Sequence, residues 1–187
     1  EQVFGDQTLF IEAEDFNFGG GQSVAGADTG MTGPYSGAAY AGLSAAADID
    51  YHDPLGADPT GNENANPEYR AADQGVEIVS LGGDGDRSRG AFEVTVAYKV
   101  GWSNAGDWYN YTRTFPEPAQ DYAVYGRLAS GGSPIGGRLD EVTSGQTTTT
   151  QTTVPLGLFT GRPTGPSETG WNTFVLIPLT DENGNAA

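Results

Sequence analysis

The chain has no cysteine, one histidine (His52), one lysine (Lys99) and no long apolar run. Each scarcity closes a class of function. Without cysteine there is no disulfide, no thiolate metal site and no cysteine nucleophile. A Ser-His-Asp triad would have to use His52, yet no G-x-S-x-G elbow accompanies it. "YHDP" around it reads as a loop in which His52 bonds locally. One histidine with no cysteine leaves too few ligands for zinc. With no apolar stretch of spanning length, no membrane-crossing helix is expected.

Cations are also scarce. Eight Lys and Arg stand against 25 Asp and Glu, a formal net charge of −17. Such a surface repels nucleic acid and anionic membrane, so neither is expected as a partner. It attracts divalent cations. So many acids offer numerous pairs for glycoside hydrolysis, but nothing singles out a protonated acid in an apolar pocket. No enzyme is expected.

Glycine (29 residues) and proline (11) are plentiful. The 187 residues suit a single domain, 1–187, with room for a sizeable core. Helical periodicity is nearly absent and strand patterns are common. "AFEVTVAYKV" alternates, with Phe92, Val94, Val96, Tyr98 and Val100 on one face. "LFIEAE", "VEIVSL", "DWYNYTRTF" and "YAVYGRLAS" add strands, and "TFVLIPL" reads as one buried on both faces. Short strands between Gly, Pro and Asn turns predict an all-β sandwich. Residues 23–49, rich in Gly, Ala and Ser, read as an insertion loop with a short helix near Leu43–Asp48. Residues 143–153, "TSGQTTTTQTT", read as an exposed edge strand or hairpin arm, with a disordered loop as the competing reading. "GGDGDRSRG" and "DENGN" have a flavour of calcium loops, but both read better as turns.

Two local features bear on chemistry. In a strand over "LFIEAE", Glu12 and Glu14 would share a face about 7 Å apart. Like charges there repel unless a cation neutralises them, and hard oxygen ligands suit Ca²⁺. A pair of solvated acids on an edge strand is the alternative. The second feature is the tryptophans in "VGWSNAGDWYNY" and "TGWNTF". A Trp after Gly in a turn tends to be exposed, so Trp102 and Trp171 are expected at the surface. Trp108, mid-strand, is expected to be buried. An exposed indole suits the apolar face of a sugar ring, with amides and acids taking its hydroxyls.

These segments, together with "IEAEDF", "YHD", "YRAADQGVEIV" and "YAVYGRLASGG", occur in one order along the chain. In that order the chain resembles a family 6 carbohydrate-binding module, within the β-jelly-roll, galactose-binding-like group that includes family 35. The resemblance covers about 10–22 and 50–180. It implies a secreted, extracellular or cell-surface bacterial jelly-roll module that binds polysaccharide without catalysis. It also implies a structural Ca²⁺ held by Glu12 and Glu14, and a sugar clamped by Trp102 and Trp171 with Asn104 beside them. Where the family closes with a further strand pair carrying a metal-binding Asp and a sugar-binding Asn, this chain reads "DENGNAA". The last strands, one Ca²⁺ ligand and one sugar contact are therefore expected to be absent. Either the chain is truncated or something else fills the gap, and the second possibility motivates an alternative: a structural or assembly subunit whose sheet is completed by a strand from a partner chain.

Overall fold

The computed structural model describes residues 9–25, 38–54, 69–70, 76–80, 88–89, 92–93, 98–115 and 118–186. Among these the chain is all-β, with ten strands, one 3₁₀ turn and no α-helix. It divides into two units, Glu1–Thr114 with Thr147–Thr149, and Phe115–Gln146 with Thr150–Ala187.

In the first unit, β1 (Tyr51–His52) pairs antiparallel with β6 (Trp108–Tyr109). β2 (Glu77–Ser80) pairs with β5 (Tyr98–Gly101), setting Ile78 opposite Val100, and β3 (Ser88–Arg89) pairs with β4 (Phe92–Glu93). The core is unusually aromatic: Phe16, Tyr40, Tyr51 and Tyr69 pack with Val76 and Ile78. Buried tyrosines need hydrogen-bond partners, and Tyr40 and Tyr69 have them. Tyr69 donates to Asp15 Oδ1 at 2.5 Å and accepts the Tyr40 amide hydrogen at 2.6 Å. The Tyr40 hydroxyl accepts from the Val24 amide at 3.0 Å and from Arg113 Nη1 at 3.2 Å.

Two expectations for this unit fail. "LFIEAE" is not a strand: Phe10 to Glu12 are irregular, and Ala13–Glu14 form a turn closed by the Asp15 amide donating to the Glu12 carbonyl at 3.1 Å. From Ala13 to Asn17, carbonyls at its end and just beyond it are claimed by side chains. Tyr111 Oη donates to Ala13 O, Arg113 Nη2 to Asp15 O, and Arg70 to Phe16 O and Asn17 O. Nor is there a helix at Leu43–Asp48. Asp48 has φ +63°, which a right-handed helix cannot accommodate, and the Ala46 carbonyl accepts from both Ile49 and Asp50 amides in a tight turn.

In the second unit, β7 (Tyr125–Leu128) pairs antiparallel with β10 (Val175–Pro178). Thr180, just beyond β10, bridges to Leu158 of β9 (Thr152–Gly161) through two backbone bonds. β9 forms a long hairpin with β8 (Ile135–Ser144), and the Thr-rich residues 145–151 make its turn. A register shift at Leu139/Asp140 leaves Leu156 as an extra, bulged residue. Glycines in β9 make room for the small core. A Cβ at Gly161 would lie 2.7 Å from Ile177, and one at Gly157 would lie 2.8 Å from Leu179. β10 is covered on one face only. Ile177 and Leu179 are buried on one face, though Val175 at the start of that face is 41% exposed, whereas Leu176 (42%) and Pro178 are exposed on the other, so the two-sided burial expected of "TFVLIPL" is not observed.

Candidate functional site

The first unit carries a buried acidic turn. Glu12, Glu14 and Asp15 are all buried, Glu14 being only 2% exposed. They are held there by cations that bond the backbone rather than the Glu14 carboxyl. Arg70, itself buried, lays its guanidinium 3.8 Å from the Phe16 ring centroid while Nη2 donates to Asn17 O at 2.8 Å. Asn17 then locks onto Thr112: its Nδ2 donates to Thr112 Oγ1 at 2.9 Å, and its Oδ1 accepts the Thr112 amide hydrogen at 2.8 Å. Burial, and then the neighbouring charge of Glu12, push the Glu14 carboxyl up to about 8. A buried acid pair of this kind takes up either a proton or a cation. The donors are all oxygen, which fits Ca²⁺ in type. In number they are few: among the described residues no group of three or more His, Cys, Asp or Glu is placed to hold a metal.

Behind this turn sits Asp50, fully buried. Its Oδ1 accepts from the Gly21 amide at 2.6 Å, and its Oδ2 from the Gly20 and Ala46 amides at 2.9 and 2.8 Å. Gly19, Gly20 and Gly21 all have positive φ, so successive amides turn inward to form a nest for the carboxylate. The run of three glycines was the available sequence signal. What it could not show was that the anion would be internal.

The Trp102 loop follows β5. Trp102 has φ +51°, a conformation uncommon for a bulky side chain, and is 47% exposed. Two bonds hold it there. Asn104 Nδ2 donates to the Trp102 carbonyl at 2.8 Å, and Asp107 Oδ2 accepts the Asn104 amide hydrogen at 2.5 Å. The Asp107 amide closes the same turn onto Asn104 O at 3.2 Å, with Gly106 at φ +108°. Asn104 thus uses an amide hydrogen to brace the loop. Asp107, which sequence reasoning passed over, is the part-buried anchor. Burial raises its carboxyl above the ordinary range, with Asp53 adding to the rise and His52 opposing it. Its Oδ1 is buried with no partner among the described residues. Alongside, His52 lies on β1 rather than in a loop. Its Nδ1 is 2.6 Å from Asp48 Oδ1, and its ring stacks on Trp108 at 5.9 Å between centroids. Trp108 is only half-buried, less covered than its strand position predicts.

Trp171 belongs to the second unit, on the 3₁₀ turn Gly170–Asn172, and is 53% exposed. Its ring edge rests on Gly131, where a Cβ would come within 2.9 Å of Trp171 Cε3. Gly170 is packed just as closely: a Cβ there would lie 2.6 Å from Ser130 O. Thr164 Oγ1 ties the two loops, accepting from the Ser130 amide at 2.9 Å and donating to Gly170 O at 2.7 Å. "DENGN" is a turn in which Asp181 Oδ1 accepts the amides of Asn183 and Asn185, both at 2.8 Å. No helix among the described residues is long and apolar enough to cross a membrane.

No family model matches the chain, and no curated protein or solved structure matches it either.

Proposed function

We propose that this chain is a non-catalytic, extracellular carbohydrate-binding module of the β-sandwich jelly-roll type, with Trp102 and Trp171 as stacking platforms for polysaccharide. The observation that carries this reading is the Trp102 loop. A half-exposed indole in a left-handed backbone conformation is braced by Asn104 and Asp107, although its exposure contributes nothing to the core. Local strain of this kind is retained where the surroundings over-determine it, and it is concentrated at binding sites. A rigid indole loses little entropy when a sugar ring stacks on it. Trp171, anchored by close glycine packing, offers a second such surface.

Ca²⁺ at Glu12 and Glu14 belongs to the same proposal. The cation would neutralise two buried carboxylates, of which the Glu12 charge otherwise opposes ionisation of Glu14. It would contribute structure and no chemistry at the sugar. One shallow stacking site of this sort binds on the order of 0.1–1 mM. A polysaccharide panel of xylan, β-glucan, agarose and galactan tests the reading. At least one should retain the protein, and Trp102→Ala and Trp171→Ala should each weaken that retention with the fold intact. Equal retention by wild type and both variants would remove it.

A second reading is favoured by the exposed apolar face of β7 and β10. Tyr125 and Leu176 are exposed there, and among the described residues each of these strands has its named pairing on one side only. In an assembly subunit, a partner strand would cover such a surface. Size-exclusion chromatography with light scattering separates the two: a concentration-independent 19.5 kDa monomer speaks against assembly.

A further inference from the structure

The Trp102 platform is built by a chain of two hydrogen bonds that begins at a residue with no surface role of its own. Asp107 precedes β6, whose Trp108 pairs with His52, so its backbone is fixed by the β1–β6 ladder. From that fixed point its Oδ2 grips the Asn104 amide hydrogen at 2.5 Å, and Asn104 Nδ2 grips the Trp102 carbonyl at 2.8 Å. Gly106 seals the turn against Pro54, where an added Cβ would meet the proline ring at 3.3 Å. The loop residues Trp102 to Gly106 are themselves outside any core, and Ser103, Asn104 and Ala105 are exposed. Burial of these neighbours therefore adds little to hold the loop, and polar bonds fix the backbone from which the indole projects.

We infer that Asp107 is the positioning residue of the glycan platform, setting the orientation of the Trp102 indole through Asn104 without touching the ligand itself. A carboxylate suits the task because a charge-assisted bond to a backbone amide is short and about twice as strong as a neutral one. Asp107→Asn keeps an acceptor oxygen at the same reach and should hold the loop. Asp107→Ala leaves the Asn104 amide without its partner.

The binding arm of the test rests on the reading of Trp102 as a sugar platform; the spectroscopic arm does not. The three tryptophan indole N–H resonances are assigned in a ¹H–¹⁵N spectrum with Trp102→Phe and Trp171→Phe. In Asp107→Ala the Trp102 resonance should shift or split while that of Trp171 stays in place, and Asp107→Asn should restore it. Titration with soluble xylan, β-glucan and galactan should show Asp107→Ala weakened roughly tenfold or more and Asp107→Asn within about threefold of wild type. If Asp107→Ala does not fold, Asn104→Ala removes the second bond of the same chain and should move the same resonance. An unmoved Trp102 resonance in the Ala variants overturns the inference, as does a moved resonance with unchanged affinity. Should the wild type bind none of the polymers, the proposed function falls, and the resonance arm still decides whether Asp107 sets the indole.

Discussion

The Asp50 carboxylate accepts the Gly21 amide hydrogen at 2.6 Å, across 29 residues of chain. With Gly20 and Ala46 completing its shell, this one buried acid is stabilised by backbone dipoles and fastens the glycine turn after the acidic segment to the turn before β1. Asp50→Ala should lower stability by about 3–5 kcal/mol, since three amides lose a charged acceptor in a dry site. Asp50→Asn, which keeps one acceptor oxygen, should fall between. Urea midpoints of the two variants check the order; an Ala variant as stable as wild type would show the nest to be dispensable.

Glu14 makes stability depend on pH in an unusual direction. Its folded carboxyl is raised from the ordinary 4.5 to about 8. A raised carboxyl binds its proton more tightly folded than unfolded, so the stabilisation is present below about 4.5 and is lost as pH rises toward 8. In chelator, the melting temperature should therefore decline across that window. Added Ca²⁺, binding the ionised pair, should raise it most at the alkaline end. Glu14→Gln should flatten the chelator profile and abolish the Ca²⁺ response. Scanning calorimetry from pH 5 to 8, with and without Ca²⁺, reads all three; a flat wild-type profile insensitive to both would contradict the assignment.

Gly170 and Gly131 are close-packed beneath Trp171. A methyl group at Gly170 meets Ser130 O and the Gly131 backbone, neither of which can rotate away. Gly170→Ala should cost roughly 1–3 kcal/mol in the second unit, as overpacking does, and should displace the indole. Gly136, where an added Cβ meets nothing, is the control: Gly136→Ala should leave the Trp171 resonance unchanged.

The all-β class was legible because alternation in "AFEVTVAYKV" and "YAVYGRLAS" reports strands directly, and part of each is strand: β4 and β5 in the first, β7 in the second. The exposure of Trp102 and Trp171 was legible from the glycine before each. "LFIEAE" misled because alternation cannot reveal that Arg70, Tyr111 and Arg113, which lie far along the chain, claim the backbone carbonyls of 13–17. "TFVLIPL" misled because an apolar run does not say how many faces are covered. Asp107 and Asp50 escaped because both act on backbone amides. Nothing about an Asp in "AGDW" or "DIDY" distinguishes an anchor from a solvated acid until the chain is folded. Residues 26–37 of the Gly/Ala-rich segment and most of "GGDGDRSRG" lie outside the described residues.

The proposal that indole platforms bind polysaccharide is tested most directly by isothermal titration of the wild type, Trp102→Ala and Trp171→Ala with the best-retained polymer of the panel. The expected result is a dissociation constant on the order of 0.1–1 mM for wild type, weakened roughly tenfold or more in Trp102→Ala with an unchanged melting temperature, as loss of a stacking surface implies. Equal affinity in wild type and both variants, or no heat with any polymer, would contradict it.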